Sequence, residues 1–424
     1  MLLSRCRSTT KVNTTAAIFG GPNRSANGQG QGVVSYSPGN PRIPCRDAVV
    51  PPRPAWAQPA EATSPETSPV NTPDEIRSEL ARAASGDSSA AVPGARRYGI
   101  HHARSAANTV AARGVGLVVS RAVIQESFGG PEVLGVRDVA ELHAGPGEVR
   151  VRVSAAGLNP VDWKIAASAE AAGRYGITLP AGFGNDFAGV VDEVGDGVTG
   201  FAAGDRVYGG ARGRAVAGYA VVRPGADPLL HTPDGVDDIT ASTLVIAGRS
   251  ADAVINAIGV HAGDTVLIGG AAGGVGVFTV QLARRAGARI VGTASEATFD
   301  FLRGLGAEPV AYGDGLAGRV RALAPQGVTA AADLTGTDTA RVAVELGVPP
   351  GRIATIAAAS PPDGARATGG RDATPGALER IAAAIAAGEF VVPIAATFPI
   401  EQTRAAVELQ RAGHVHGKVV ITLA

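Results

Sequence analysis

Short apolar runs separated by glycine turns characterise the chain from residue 120 to residue 208. Valine occupies positions 149, 151 and 153, with arginine at the two positions between them. A period of two places alternate side chains on opposite faces, which is typical of a half-buried strand. Other apolar runs of strand length lie at residues 121–125, 187–194 and 204–208. The pattern predicts a small β-rich unit.

The rhythm changes after residue 241, where segments of helical length separate the apolar runs. These runs lie at residues 265–268, 289–292, 330–334 and 352–357. Strands that alternate with helices are typical of βαβ units, whose strands lie parallel in one sheet. The second part of the chain is therefore predicted to be an α/β unit with a doubly wound parallel sheet.

Residues 1–118 differ from both units, because they carry Pro, Ser, Thr, Ala and Gly in aperiodic stretches with few bulky apolar residues. Such a segment buries too little surface to offset the entropy lost on ordering, so we expect a disordered leader. Its first 46 residues contain arginine, serine and threonine but no acidic residue, which also fits a transit peptide. Upstream sequence translated from an early start codon is a third interpretation.

Composition and charge narrow the class of protein. Hydrophobic residues make up 45% of the 424 residues, charged residues make up 18%, and the formal net charge is zero. This balance is typical of a soluble α/β protein and does not favour a nucleic-acid or membrane partner. Both cysteines, Cys6 and Cys45, precede the predicted folded units. Residues 119–424 therefore offer no cysteine for a metal site or a disulfide.

A glycine-rich segment follows the first strand of the α/β unit and leads into an apolar-periodic helix at residues 277–285. In dinucleotide-binding folds such a turn lets the backbone approach the pyrophosphate at the N-terminus of the next helix. We expect Gly273 to allow that approach and Gly276 to let the helix pack on the sheet. Such turns also occur for packing alone. The predicted cofactor-binding residues here are Ala271, Ala272, Gly273, Gly274, Val275 and Gly276.

The end of the second strand of this unit bears on the choice of nicotinamide cofactor. About 20 residues beyond a dinucleotide glycine turn, an acidic residue accepts the ribose 2′-hydroxyl of NAD. Ser295 stands there instead, and a hydroxyl can donate to the 2′-phosphate of NADP. The sequence therefore favours NADPH, although Glu296 and Asp300 oppose it and Arg303 is the nearest cation along the chain. Ser295 also suits a helix N-cap.

Six blocks, taken in order, resemble the medium-chain dehydrogenase/reductase superfamily in its zinc-free quinone oxidoreductase (zeta-crystallin-like) branch. The resemblance covers residues 120–424 and rests on the order of the blocks. An alanine at position 271 is typical of this branch. The blocks are FGGPEVL at 128–134, AGLNPVDWK at 156–164, GNDFAGVVDEVG at 184–195, GDRVY at 204–208, AAGGVG at 271–276 and GKVVI at 417–421.

The resemblance implies a GroES-like β-rich catalytic domain with an inserted Rossmann domain, and a nicotinamide in the cleft between them. The implied segments are a leader at 1–118, a GroES-like domain at 119–243, a Rossmann NADP-binding domain at 244–370 and a C-terminal return to the first domain at 371–424. Zinc-dependent relatives carry a cysteine near Asn159 and Gly-His-Glu where this chain has Gly184, Asn185 and Asp186. The implied enzyme therefore works without a metal.

The resemblance also assigns side chains to the cleft. Asn159 would face the nicotinamide and the substrate, Asp162 would orient Lys164, and Lys164 would donate to a substrate oxygen. Tyr312 would lie near the adenosine end of the cofactor, and Lys418 near its nicotinamide end. Each residue also has a structural interpretation: a turn at Asn159, a helix cap at Asp162, a half-buried phenol at Tyr312, and a solvated charge at either lysine.

The implied function is NADPH-dependent transfer of hydride to a small-molecule quinone or α,β-unsaturated carbonyl. We expect a cytoplasmic protein that needs neither nucleic acid nor membrane and that can form a homodimer. Two other functions stay open. One is an NADPH-binding redox sensor or crystallin-like protein with little turnover, and the other is the enoyl reductase module of a polyketide pathway. Loop residues 173–183, which would shape the pocket, do not reveal the substrate.

Overall fold

The computed structural model describes residues 119–358, 360–413 and 415–423. All of these residues belong to one compact unit. The predicted leader at residues 1–118, with both cysteines, lies outside the described residues. Among the described residues, no helix combines the length and the apolar character that crossing a bilayer requires.

The strands fall into three stretches along the described chain. The first stretch contains β1 (Val119–Gln125), β2 (Leu134–Ala140), β3 (Val149–Leu158), β4 (Ala181–Gly182), β5 (Asp186–Val194), β6 (Arg206–Gly210), β7 (Tyr219–Val222) and β8 (Leu229–His231). The second contains β9 (Thr265–Gly269), β10 (Arg289–Ala294), β11 (Glu308–Ala311), β12 (Ala330–Asp333), β13 (Ile353–Thr355) and β14 (Arg366–Ala367). The third contains β15 (Ile394–Pro399) and β16 (Lys418–Thr422).

Of the ten α-helices among the described residues, four lie between successive strands of the second stretch. The α-helices are α1 (Pro160–Ala167), α2 (Ala169–Arg174), α3 (Asp238–Ala241), α4 (Leu244–Ile258), α5 (Gly276–Arg285), α6 (Phe299–Gly304), α7 (Leu316–Leu323), α8 (Asp338–Glu345), α9 (Ala377–Ala386) and α10 (Thr403–Arg411). Single 3₁₀ turns lie at Pro131–Val133, Glu296–Thr298, Gly370–Asp372 and Ile400–Gln402.

The β-rich part is built from two sheets. Strand β1 pairs antiparallel with β2 and β4, and a seven-stranded sheet runs β15-β16-β3-β5-β6-β8 with β7 also paired to β3. Along β3 the alternate residues Val149, Val151 and Val153 are buried, and they pack in one apolar cluster with Phe187 and Val207. The predicted half-buried strand is confirmed, since its alternation separates a core face from a more exposed face.

The α/β part contains a six-stranded parallel sheet in the order β11-β10-β9-β12-β13-β14. This is the strand order of dinucleotide-binding folds, in which the chain changes direction between the first strand and the fourth. Here those strands are β9 and β12, which pair in parallel. Ligands of such sheets bind beyond the carboxyl ends of the strands at this switch point. The predicted doubly wound parallel sheet is confirmed.

The last strand brings the C-terminal segment back to the first sheet. Strand β16 pairs antiparallel with β3, so that Val419 lies opposite Leu158 and Ile421 opposite Ala156. Just before this strand, Gly417 N donates to Ala272 O at 2.9 Å. The start of β16 is therefore held between the end of β3 and the glycine turn that follows β9.

The amino ends of three neighbouring strands of the parallel sheet are held together by Asp264, which is only 2% exposed. Its carboxylate accepts hydrogen bonds from Thr329 Oγ1 at 2.6 Å, Arg352 at 2.6 Å and His261 N at 2.8 Å. Burial alone raises the pKa of Asp264, but these hydrogen bonds and the charge of Arg352 outweigh it and hold the pKa below its ordinary value. One carboxylate thus links the starts of β9, β12 and β13.

The variant Asp264→Asn should unfold at lower urea concentration at pH 7, with a loss of about 1.5 to 3 kcal/mol, because a buried charge-assisted network is broken. A group whose pKa is lowered by folding stabilises the protein above its unfolded pKa, here near 4, and this contribution disappears as the pH falls further. The difference between wild type and variant should therefore shrink on acidification.

Urea unfolding followed by circular dichroism at several pH values measures this difference. Asp338→Asn is the matched control, because it removes an ion pair with Arg341 in which Asp338 is 95% exposed. We expect that control to change the free energy of unfolding by less than about 1 kcal/mol. Equal stability of wild type and Asp264→Asn at pH 7 would contradict the assignment.

Candidate functional site

The glycine turn between β9 and α5 is closed by backbone contacts that only glycine permits. Gly270 has φ of +70°, which favours glycine. A Cβ atom on Gly276 would lie 2.2 Å from Gly270 O and 2.5 Å from Ala271 O. Helix α5 can therefore begin directly against the turn. The side chains of Ala271 and Ala272 are buried beneath it.

The outer part of the same turn has room for a ligand. A Cβ atom on Gly273 would have only Gly270 O within 4 Å, at 3.3 Å. On Gly274 the nearest atom would be Lys418 Cδ at 3.2 Å. Gly273, Gly274 and Val275 are half-buried. The protein's own packing thus leaves the space above Gly273 open, which fits a turn that a pyrophosphate approaches closely.

A buried polar cluster lies next to this turn and begins at Asn159, the residue before α1. Asn159 is 2% exposed and Asp162 is 3% exposed. Asn159 N donates to Asp162 Oδ2 at 2.7 Å, so the carboxylate caps the first turn of α1. The other oxygen, Asp162 Oδ1, accepts a hydrogen bond from Asn185 Nδ2. The helix cap therefore also fixes Asn185.

Asp186 joins this cluster to the α/β part of the chain. Its side chain is fully buried, and Oδ2 accepts a hydrogen bond from Asn159 Nδ2 at 3.0 Å. The same carboxylate accepts from Ile246 N, at 3.2 Å through Oδ1 and 3.1 Å through Oδ2. Because Ile246 lies in the first turn of α4, one of its otherwise unpaired N–H groups is satisfied by a negative charge.

Lys418 supplies the positive charge of the cluster. The residue is 2% exposed, and its Nζ donates to Asn159 Oδ1 at 2.6 Å and to Leu158 O at 3.1 Å. The third N–H of the ammonium group has no partner among the described residues. Since the stem of Lys418 lies beside Gly274, the ammonium group is close to both the cluster and the glycine turn.

Burial shifts the protonation of all three charged groups. It raises the pKa of Asp162 to about 6, against the hydrogen bonds from Asn185 and Asn159 and the charge of Lys418. It raises the pKa of Asp186 to about 7, with Lys418 opposing the shift and Asp162 adding to it. It lowers the pKa of Lys418, while both carboxylates act in the other direction. Burial therefore favours the neutral form of each of these three groups.

A small cavity of about 10 Å³ lies beside the cluster. Gln125, Asp162 and Asn185 line it together with apolar residues that include Ile177 and Phe183. A cavity of this size holds about one water molecule. The cavity therefore brings three polar side chains to a space that an oxygen atom can enter.

Two predicted residues lie away from this cluster. Lys164 is exposed, and its ammonium group lies 5.6 Å from the centroid of the Trp163 ring. The structure therefore does not bring Lys164 to Asn159 or Asp162. Tyr312 follows β11 and is 60% exposed, so it is not a half-buried phenol. Arg319 donates to the carbonyl of Tyr312 at 3.2 Å and so helps to hold that loop.

Ser295 follows β10 and makes a side-chain contact that the sequence did not indicate. It stands at the N-cap position of the 3₁₀ turn, but its side chain makes no capping hydrogen bond. Instead, its hydroxyl is hydrogen-bonded to Thr298 Oγ1 at 2.8 Å, and Thr298 Oγ1 is 2.9 Å from His416 Nε2. Ser295 therefore occupies the expected N-cap position, but its side chain does not cap the turn.

The candidate site residues that the sequence analysis did not select are Asn185, Asp186, Thr298 and His416. Asn185 and Asp186 were signalled, because they fall in the GNDFAGVVDEVG block where zinc-dependent relatives carry His and Glu. The contact between Thr298 and His416 joins residues 118 positions apart and has no local signal.

Family models match two parts of the chain. A model described as the alcohol dehydrogenase GroES-like domain matches residues 145–224, and one described as zinc-binding dehydrogenase matches residues 305–421. Within the described part of the chain, no group of three or more His, Cys, Asp or Glu side chains could hold a metal ion. The GroES-like part of the expected fold is confirmed.

Curated relatives match over part of their length. The quinone oxidoreductase of Pseudomonas aeruginosa is 38% identical over 171 residues, which are 40% of this chain and 51% of the relative. The human quinone oxidoreductase is 38% identical over 184 residues, 42% of this chain and 54% of the relative. The chain thus spans about half the length of these relatives.

Solved structures match more of the chain. The quinone oxidoreductase from Coxiella burnetii has a TM-score of 0.65 and 26% identity, and the match covers 72% of this chain and all of that one. Together with the two family models, this likeness makes the chain similar to the medium-chain dehydrogenase/reductase superfamily, with quinone oxidoreductases among the relatives that match it.

Proposed function

We propose that this oxidoreductase uses NADPH, without a metal, to reduce quinones or α,β-unsaturated carbonyls. The observation that carries the proposal is the buried cluster of Asn159, Asp186 and Lys418 beside the glycine turn. By the resemblance, zinc-dependent relatives carry a cysteine within the segment from Asn159 to Asp162 and a histidine at the position of Asn185. Amide side chains are poor zinc ligands, and here both make hydrogen bonds to neighbouring carboxylates.

The cofactor would be held by the glycine turn and by the end of β10. The outer turn at Gly273 and Gly274 would receive the pyrophosphate, while Ser295 would lie near the adenosine ribose. A mycobacterial protein of similar fold, with a TM-score of 0.63 and 26% identity, is described as complexed with NADPH, which supports this choice of cofactor. When bound, NADPH supplies the hydride.

Lys418 is the group best suited to stabilise negative charge on a substrate oxygen. Reduction of a quinone or enone places hydride on carbon and negative charge on oxygen, which fixed donors stabilise. Asn159 Nδ2 already donates to Asp186 at 3.0 Å and to Gly157 O at 3.3 Å, so its donors are in use. We therefore assign Asn159 to positioning Lys418, in place of the direct contact with the substrate that the resemblance implied.

Asp162 is the carboxyl group placed to exchange a proton with the product oxygen. It lines the small cavity beside Asn185, and its raised pKa lets the carboxyl group hold a proton in mildly acidic solution. Asp186 lies deeper, where it accepts hydrogen bonds from Asn159 and Ile246 N. Its role is to hold Asn159 and the first turn of helix α4 in fixed positions relative to the ammonium group of Lys418.

An acceptor screen followed by NADPH absorbance tests the reaction class. We expect turnover of quinones or enones, a higher kcat/KM for NADPH than for NADH, little oxidation of simple alcohols, and no loss on treatment with EDTA. Alcohol oxidation needs help in forming an alkoxide, which zinc relatives obtain from the metal. Efficient alcohol turnover without quinone or enone reduction would overturn the proposal. NADPH binding without any turnover would favour a sensor instead.

The variant Gly273→Val should fold normally but bind NADPH about tenfold more weakly or worse, because its side chain would occupy the space above the turn. Melting temperature and titration of cofactor fluorescence measure the two effects separately. The matched variant Gly276→Ala should instead lose stability, by about 3 kcal/mol, because its Cβ would overlap Gly270 O. Unchanged NADPH affinity in folded Gly273→Val would refute the placement of the cofactor.

Replacing Asn159 tests the cluster. Asn159→Ala should lower kcat by about 10² to 10³ with a much smaller change in NADPH affinity, because Lys418 loses the acceptor that orients it. Lys418→Met should lower kcat at least as much. Lys164→Ala is the comparison variant, and its exposed position predicts an unchanged kcat. Steady-state kinetics would contradict the assignment if Lys164→Ala were impaired and Asn159→Ala were not.

A further inference from the structure

Negative charges follow the end of β10 and would oppose the binding of a 2′-phosphate there. Glu296 and Asp300 are exposed acidic residues directly after Ser295. The cation of this segment, Arg303, is engaged, because it pairs with Asp300 at 2.6 Å and lies over the Phe299 ring. Among described residues 295–305 no unpaired cation is left for a phosphate. The required positive charge must come from another part of the chain.

His416 brings an imidazole to this place from the segment before β16. Its Nε2 lies 2.9 Å from Thr298 Oγ1, and the same hydroxyl is hydrogen-bonded to Ser295 Oγ at 2.8 Å. Thr298 is 2% exposed, so the link between the two side chains is fixed. The imidazole therefore belongs to the same hydrogen-bonded group as the residue expected to contact the ribose.

The ring of His416 is also oriented by packing. Its centroid lies 5.6 Å from that of Phe301, with 31° between the ring planes. His416 is half-buried, and its Nδ1 has no partner among the described residues. One nitrogen is thus tied to Thr298, while the other is free to donate. An imidazolium held in this way offers both a charge and a directed N–H to an anion.

We propose that protonated His416 is the cationic contact for the 2′-phosphate of NADPH and determines the preference for NADPH over NADH. This inference rests on the proposed function, since it explains the cofactor choice of the same site. Ser295 would supply a neutral donor, and His416 the charge. Loss of the imidazole should weaken binding of the 2′-phosphate and leave the rest of the dinucleotide unaffected.

The charged groups near His416 come from three elements. Glu296 lies on the 3₁₀ turn, Asp300 and Arg303 pair with each other on α6, and Lys418 on β16 directs its ammonium group to Leu158 O and Asn159.

Calorimetric titration with 2′,5′-ADP and with 5′-AMP tests the proposal without turnover. Wild type should bind 2′,5′-ADP more tightly than 5′-AMP. His416→Gln should weaken 2′,5′-ADP by about tenfold to a hundredfold, as expected for a charged hydrogen bond, and leave 5′-AMP unchanged. His231→Gln is the matched control. His231 lies on strand β8 of the seven-stranded sheet, where its ring stacks on Phe201. This control should change neither affinity.

Two further measurements separate charge from structure. His416→Lys should restore binding of 2′,5′-ADP, since it replaces the imidazole with another cationic N–H donor. Thr298→Val, which frees the imidazole, should weaken 2′,5′-ADP less than His416→Gln does.

The outcomes are distinguishable. Unchanged 2′,5′-ADP affinity in His416→Gln overturns the inference and leaves the proposed function standing. Equal weakening of 2′,5′-ADP and 5′-AMP also overturns it, because the imidazole would then contact the 5′-phosphate or only support the fold. If wild type bound neither nucleotide, the NADPH proposal and the inference would both fail.

Discussion

A positive charge that is removed from water must be neutralised by nearby groups. The buried ammonium group of Lys418 therefore determines how the polar side chains of the site are arranged. Its acceptors are Leu158 O and Asn159 Oδ1, and the amide group of Asn159 in turn donates a hydrogen bond to Asp186. Asp186 in turn holds the first turn of α4. The end of β3, the start of β16 and a helix of the α/β part are thus joined through one charge. The contact between the β-rich part and the α/β part at this site depends on that network.

The fold could largely be predicted from hydrophobic periodicity, and the errors in that prediction have physical causes. The alternating valines at 149, 151 and 153 predicted strand β3, but the strand extends to Leu158. The alternation does not reveal this extension, because the last four residues of the strand are all buried. Strand β13 was predicted at 352–357 but is only Ile353–Thr355. The two-residue strand β14 carries no pattern, since a period cannot be recognised in two positions.

Those contacts of the candidate site that join residues close together in sequence could be predicted. Asn159 and Asp162 are three residues apart, so the start of a helix brings them together. Lys164 lies two positions beyond Asp162, which is more than half a helical turn around the axis, so the same helix directs it to solvent. The contact between Asn159 and Lys418 spans 259 residues and that between Thr298 and His416 spans 118. Such contacts depend on the pairing of β16 with β3, which no single segment of sequence encodes.

The pairing of β16 with β3 also has a consequence for synthesis of the protein. Lys418 is made 259 residues after Asn159, the residue it bonds to. At a translation rate of about 5 to 20 residues per second, Lys418 is added roughly 13 to 50 s after Asn159. During that interval the strand edge of β3 that β16 will cover is open. A nascent chain therefore stays incomplete at its site until β16 has been made, and the open edge of β3 is the part of the site most exposed to wrong strand pairing in that interval.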